Sequence, residues 1–168
     1  DRNRTPQYLG EKLKREVKIH YVPERIKNPL GYNCRVNEIV KKGNYDILWC
    51  NFCTLSDITW LKAAKKYGIP VRIAHSHNSE NMGSKLVLIS HLQHKKAISK
   101  YVTHFFACSD VAGKFMFGDN IVKQNNYCLI NNAIETDKYS YNENIRMKTR
   151  LDLKISDKIV ITNVGRFH

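Results

Sequence analysis

Strand-like and helix-like segments alternate along this chain, and this alternation limits the fold more than any other feature. Apolar patterns typical of strands lie at 17–22, 45–50 and 71–74, with helical patterns between them at 33–42 and from 54 or 56 to 68. Consecutive parallel strands need a crossover connection, which is usually a helix. The sequence therefore predicts an α/β fold with a doubly wound parallel sheet.

The rest of the chain continues this alternation. Further helices are predicted from apolar residues spaced three or four apart, and further strands from short apolar runs. These predictions are a loop at 25–32, helices at 6–15, 85–101, 111–117 and 141–153, and strands at 103–108, 125–129 and 158–168. Ser109 and Asp110 are predicted to cap the helix at 111–117, because short polar side chains accept hydrogen bonds from free first-turn amides.

Polar residues replace apolar ones abruptly at the end of the predicted strand 71–74. His75 and His77 flank Ser76, and the polar run Asn78-Ser79-Glu80 follows. In open α/β sheets the carboxyl ends of parallel strands are where loops gather and ligands bind. We therefore expect the two histidines near a ligand site. We also expect their rings on opposite faces of the extended tip, one towards the ligand and the other packed behind it.

The chain is strongly basic, with 28 Lys and Arg against 15 Asp and Glu and a formal charge of +13. This charge favours an anionic partner, and phosphate groups, acidic lipid and nucleic acid all qualify. The basic residues are scattered, without a dense block or an interleaved aromatic pattern, so nucleic acid is not favoured. A non-catalytic module that binds anions or nucleic acid is nevertheless the main alternative to an enzyme.

The predicted helix at 85–101 has two interpretations. Leu86, Ile89 and Leu92 lie on one side, while lysines such as Lys85 and Lys96 supply positive charge. The commoner interpretation is a helix whose apolar side faces the core and whose cationic side is solvated. The alternative is an amphipathic basic helix that lies on an anionic membrane. No apolar run approaches the roughly 20 residues that span a bilayer.

The cysteines allow several roles. Cys50 and Cys53 have the spacing of a thioredoxin-type redox pair, but the interior lacks the usual Gly-Pro. The same two cysteines could hold zinc together with His75 and His77, although the spacing does not fit a zinc finger. An odd total of five cysteines is most simply explained by reduced thiols in a cytosolic protein.

Four strings, taken together, resemble one family. The segments 70–79, 106–118, 130–139 and 164–167 are similar, in order and spacing, to bacterial retaining glycosyltransferases of family 4, and among these to members that assemble capsular polysaccharide or exopolysaccharide. The resemblance implies the GT-B architecture, in which two Rossmann-like domains face each other across a cleft. It places 1–157 in the N-terminal, acceptor-side domain and 158–168 at the start of the C-terminal, donor-side domain.

The resemblance also implies what lies outside the given sequence. The family's opening strand, with its Gly-Gly loop, would precede Asp1, and the donor-binding carboxylate pair and lysine would follow His168. We therefore expect the isolated chain not to turn over. We expect the protein to act in the cytoplasm, where it can contact the inner face of the membrane.

Site roles are carried over by the same resemblance. His77, with His75 second, matches the strand-tip histidine near the transferred sugar, and Arg166 matches the arginine that touches the donor diphosphate. Ser109 and Asn132 match polar positions that line the cleft. The implied donor is a nucleotide-diphosphate sugar and the implied acceptor is a saccharide or lipid-linked molecule. The implied transfer keeps the anomeric configuration and uses no metal and no separate cofactor.

Overall fold

Four parallel strands, added in the order in which they occur in the chain, form the sheet of the described structure. The computed structural model describes residues 16–165, so the predicted helix at 6–15 lies outside the described residues. The strands are β1 (Ile47–Phe52), β2 (Val71–Ser76), β3 (His104–Ala107) and β4 (Tyr127–Leu129), in the order β1-β2-β3-β4. The predicted α/β fold with a parallel, Rossmann-like sheet is confirmed.

Helices connect the strands. They are α1 (Pro29–Lys42), α2 (Thr59–Lys66), α3 (Lys85–Ala97), α4 (Asp110–Phe117) and α5 (Glu143–Asp152), with short 3-10 turns at Ile98–Lys100, Ile121–Lys123 and Thr136–Tyr139. Parallel strands all begin at the same end of the sheet, so the chain must cross back after each strand. A helix or a 3-10 turn makes that connection between neighbouring strands. Between residues 16 and 165, no helix combines the length and apolar composition needed to cross a bilayer.

Two apolar clusters hold this arrangement. The larger joins strand residues such as Phe52 and Phe105 to Leu61 of α2 and Met116 of α4, all of them buried. The smaller cluster joins α1 to α2, and its members are Tyr32, Val36, Val40, Ala63, Ala64 and Ile69. Burial of apolar area is the main favourable contribution to folding. These clusters therefore hold the helices against the sheet and fix the positions of the strand ends.

The chain divides into two compact units at Asn131. The first unit contains the sheet. The second, described over 132–165, contains a 3-10 turn and α5, and its apolar side chains at Ile145 and Leu151 are 65% and 70% exposed. The domain boundary predicted after residue 157 stays a prediction.

Helix α1 begins four residues earlier than predicted. The sequence prediction assigned 25–32 to a loop, but Pro29 opens the helix and the Asn28 side chain accepts a hydrogen bond of 2.8 Å from the Gly31 amide. An Asn cap followed by Pro at the first helical position is favourable, because proline has no amide to leave unpaired and its φ angle suits a helix. This signal outweighed the loop character of the Asn-Pro-Leu-Gly sequence.

Two strand predictions are wrong. Residues 17–22 form no strand, although Val22 packs against the smaller apolar cluster. Residues 158–165 also form no strand, and Ile159, Ile161 and Val164 are more than 90% exposed. Apolar content and alternation describe any extended segment, whereas a strand also needs a neighbouring strand to receive its backbone hydrogen bonds. The last three residues of the predicted strand 158–168 lie outside the described part of the chain.

The orientation predicted for the 85–101 helix is also wrong. Leu86, Ile89 and Leu92 of α3 are exposed by 78%, 52% and 48%, while His91 is only 1% exposed. The buried residue of α3 is the polar His91, which, with the partly buried His94, binds a backbone segment that needs partners. The Leu55 amide donates to His91 Nδ1 at 3.1 Å, and His94 Nδ1 donates to the Leu55 carbonyl at 2.7 Å.

This use of His91 predicts a pH dependence of stability. Burial, assisted by the nearby charge of Lys95, lowers the pKa of His91 from its ordinary 6.5. The unfolded chain then takes up a proton at a higher pH than the folded chain does. The contribution of neutral His91 to the free energy of unfolding is therefore fully present above pH 6.5 and falls as the pH drops below it. Urea unfolding at neutral and at mildly acidic pH measures this loss.

The variant His91→Asn separates this contribution from those of other groups. It should lower the free energy of unfolding at neutral pH by about 1–3 kcal/mol, because the Leu55 amide loses a well-placed acceptor. It should also make the free energy of unfolding fall less steeply as the pH drops below 6.5. The exposed His104→Asn serves as the matched control. An acid slope in His91→Asn as steep as that of the wild type would contradict the assignment.

Candidate functional site

The candidate site lies at the carboxyl ends of β1, β2 and β3, where one row of side chains crosses the sheet. Backbone register pairs Asn51 of β1 with His75 of β2, and His75 with Phe106 of β3. His77 follows directly after β2, and its amide donates to the Phe52 carbonyl at 3.0 Å. The strand ladder therefore continues to His77 and fixes both histidine backbones at the same edge.

The two imidazoles lie together, not on opposite faces. The ring centroids of His75 and His77 are 4.2 Å apart. The expectation of opposite faces is wrong because successive side chains of a strand alternate, which returns residues two apart to the same face. The structure thus brings the two predicted histidines into one pair.

His75 is the inner member of the pair. It is 6% exposed and lies beside the Trp49 and Phe106 rings, with centroid distances of 5.8 and 6.1 Å. Burial, together with the nearby His77 ring, lowers the pKa of His75, whereas the Ile130 backbone acts in the opposite direction. His75 Nε2 is buried without a hydrogen-bond partner among the described residues. The lowered pKa favours the neutral form of the ring among these aromatic neighbours.

His77 is the outer member of the pair. Its Nε2 lies 2.9 Å from Oδ1 of Asn51, which can only accept, so the ring carries its proton on Nε2. That tautomer leaves Nδ1 as an acceptor. The side chain is partly exposed. The arrangement can therefore accept a hydrogen bond from an incoming hydroxyl group.

Asn51 and Trp49 belong to the site although the sequence analysis did not select them. Trp49 is 49% exposed, and its ring meets Phe106 edge to face at 5.4 Å. An aromatic surface beside polar groups is typical of small-molecule sites. The available signal was position: Asn51 is the polar residue near the end of a strand that precedes the histidine strand, and Trp49 lies two residues earlier on the same face.

Ser109 lies at the carboxyl end of β3, where it caps α4. Its Oγ accepts a hydrogen bond of 3.2 Å from the Ala112 amide, as the predicted cap requires. Ser76 holds the same turn by donating to the Ala112 carbonyl at 2.9 Å. The Ser109 hydroxyl therefore has a structural partner, and its role in lining a cleft stays a prediction.

Two predicted site residues remain, Asn132 and Arg166. Asn132 is exposed and is the first residue of the second unit. Arg166 lies outside the described residues. Their roles beside a donor stay predictions.

The cysteine alternatives receive no support from the site. Burial raises the pKa of the Cys50 thiol to about 12, with a smaller effect from Asp57, whereas a redox-active cysteine needs an accessible thiolate. Cys53 is exposed. Among residues 16–165, no three His, Cys, Asp or Glu side chains lie close enough to hold a metal ion. Cys50, Cys53, His75 and His77 therefore do not form the zinc site that the sequence left open.

The described part of the chain is an α/β domain in which His75, His77 and the aromatic rings of Trp49 and Phe106 lie near the carboxyl ends of parallel strands. Ligands generally bind at this edge of open α/β sheets. The chain is similar to the Bacillus subtilis (strain 168) protein named "Putative glycosyltransferase EpsF", with 28% identity over 175 residues that cover 99% of this chain and 44% of that protein. The chain thus spans less than half the length of this relative. No protein-family profile and no solved structure matches the chain.

The contact between Asn51 and His77 predicts a defined histidine tautomer. Long-range nitrogen-15 NMR spectra should show His77 with its proton on Nε2. The variant Asn51→Ala removes the acceptor, so the His77 signals should move towards a mixture of tautomers while the strand pairing persists. Asn37→Ala, at a partly exposed position of α1, is the matched control. Unchanged His77 signals in Asn51→Ala would contradict the contact.

Proposed function

We propose that the complete protein is a retaining glycosyltransferase of family 4 with the GT-B architecture. It transfers a sugar from a nucleotide-diphosphate donor to a saccharide or lipid-linked acceptor, in the cytoplasm, during synthesis of capsular polysaccharide or exopolysaccharide. The observation that carries the proposal is the 28% identity to a named glycosyltransferase along 99% of this chain. The parallel sheet with polar groups at its carboxyl edge is compatible with this activity.

His77, supported by His75, positions the hydroxyl groups of the sugar or of the acceptor. His77 offers Nδ1 to a sugar or acceptor hydroxyl, and Asn51 keeps the ring in the required tautomer. His75 supports His77 from below through the contact between the two rings. Held groups react faster because their orientation is fixed before the reaction. The histidines need not act as strong bases, since an oxygen of the departing diphosphate can take the proton of the acceptor.

A positive charge beside the donor diphosphate provides the rest of the catalysis. Negative charge grows on the diphosphate as the bond to the sugar breaks, and a guanidinium can bind two phosphate oxygens at once. We assign this role to Arg166, with no metal. Ser109 and Asn132 would line the cleft beside the donor.

A variant of Arg166 tests the charge role in the complete protein. Arg166→Ala should slow sugar transfer by about 100-fold, as loss of a positioned charge donor does. The measurement is turnover across a panel of nucleotide sugars. Arg146→Ala, an exposed arginine of α5, should leave turnover unchanged. Wild-type turnover by Arg166→Ala would defeat the assignment.

The two histidines should differ in their effect on transfer. In the complete protein, His77→Ala should reduce turnover by about 10-fold or more and by more than His75→Ala does, because His77 is the partly exposed member of the pair. Turnover is compared per folded molecule, with folding checked by thermal unfolding, since His75 is buried. Exposed His104→Ala is the control. A larger loss in His75→Ala would reverse the assignment of roles.

The formal charge of +13 favours one other candidate, a non-catalytic module that binds anions or nucleic acid. Turnover across the panel of nucleotide sugars, compared with binding to nucleic acid, distinguishes the two functions. Sugar transfer by the complete protein supports the enzyme. Tight, salt-sensitive binding of nucleic acid without any transfer supports the module.

A further inference from the structure

The sheet turns one face towards the apolar core and the other towards the candidate site. Strand residues of the larger apolar cluster, such as Phe52 and Phe105, lie on the core face. Trp49, Asn51 and His75 lie on the opposite face, here called the site face, because successive side chains of a strand alternate. The strands are added in a single direction, so right-handed crossovers place the helices that connect them on the core face.

Trp49 is a fixed aromatic ring on the site face. Its ring centroid lies 5.4 Å from that of Phe106 and 5.8 Å from that of His75. The side chain is nevertheless 49% exposed, so it keeps a large apolar area in contact with water. A ligand that covers this ring gains the free energy of apolar burial. It also loses little on ordering the side chain, because the neighbouring rings already hold the indole in place.

Hydrogen-bonding groups lie a short way along the same face. Asn51 follows Trp49 by two residues, which is about 7 Å along a strand. Asn51 Oδ1 accepts a hydrogen bond from His77 Nε2 at 2.9 Å, which leaves Asn51 Nδ2 to donate and His77 Nδ1 to accept. A hydroxyl group both donates and accepts a hydrogen bond. The two free positions therefore suit one hydroxyl of a ligand that covers Trp49.

The side chains around these groups carry no formal charge. Strand register continues the Asn51 row to Cys128 of β4, and the preceding row consists of Trp49, Ile73 and His104. Neither row contains Asp, Glu, Lys or Arg. A carboxylate or a phosphate therefore finds no ion pair within these rows, whereas an uncharged ligand needs none.

We propose that Trp49 is a stacking platform for a neutral hexose. A hexose ring presents C–H groups on one face and hydroxyl groups around its edge. The C–H face packs on the Trp49 indole, and one hydroxyl binds Asn51 Nδ2 and His77 Nδ1. The inference rests on the proposed function for the class of ligand, and it adds the neutral charge of the sugar and the aromatic contact that selects it.

Binding of free sugars to the whole chain tests the proposal. The chain has two tryptophans, and Trp60, which packs against the smaller apolar cluster, is replaced by Trp60→Phe so that Trp49 alone emits. D-glucose or D-galactose should shift the Trp49 emission to shorter wavelength in a saturable way, because the sugar displaces water from the indole. Absence of a saturable shift with both hexoses overturns the proposal.

Two further ligands test the chemical class. Glucuronate has the ring of glucose with an added carboxylate, and it should bind no more tightly than glucose at about 0.15 M salt, where long-range attraction to the basic chain is screened. Tighter binding of glucuronate overturns the assignment of a neutral sugar. Uridine tests the other ring that stacks on an indole, a nucleobase. Uridine binding that requires Trp49, with no binding of either hexose, overturns the proposal in favour of a nucleobase.

Substitutions of Trp49 separate stacking from a structural effect. Trp49→Ala should weaken hexose binding by about 10-fold or more, whereas Trp49→Tyr, which keeps an aromatic ring, should retain most of it. Because both variants lack the Trp49 emission, binding is measured by saturation-transfer NMR of the sugar, and circular dichroism checks the fold. Wild-type binding by Trp49→Ala, or an equal loss in both folded variants, overturns the stacking contact.

A polar variant and a matched aromatic control complete the test. Asn51→Ala should weaken hexose binding by about 3-fold or more, because the hydroxyl loses a donor and His77 loses its fixed tautomer. Tyr141, in the second unit, is 76% exposed, and Tyr141→Ala should bind hexose like the wild type. A loss in Tyr141→Ala equal to that in Trp49→Ala would indicate adhesion to any exposed aromatic ring and overturn a specific platform.

Sugar transfer by the complete protein is scored separately from hexose binding. Hexose binding that depends on Trp49, without any transfer, supports the inference and counts against the proposed function. Wild-type transfer together with wild-type hexose binding in Trp49→Ala overturns the inference while the proposed function stands.

Discussion

The backbone pairing of β2 with both β1 and β3 is the constraint on which the rest of the structure depends. It sets Asn51, His75 and Phe106 in one row and carries His77 one step further at the same edge. Because register fixes the face as well as the position of each side chain, the row has a polar end and an aromatic end without any contribution from long loops. A slip of one residue would send the histidines to the opposite face.

The same edge explains why α3 has its polar side inward. The chain leaves β1 through a loop in which Leu55 is fully buried, and the Leu55 amide and carbonyl have no strand to bind. Buried backbone groups must be paired. His91 and His94 supply those bonds from two positions on one side of α3. Because that side binds the loop, Leu86, Ile89 and Leu92 on the other side of the helix face outward.

This dependence marks the limit of what the sequence could predict. The alternation of segments predicted the parallel sheet, and the change to polar residues after 71–74 predicted the place of His75. Periodicity says which residues of α3 share a side, but not which side meets the core, because that depends on the unpaired loop at Leu55. Likewise, Asn51 became recognisable only through its register with β2. Residues 158–165 read as a strand although no described strand receives them.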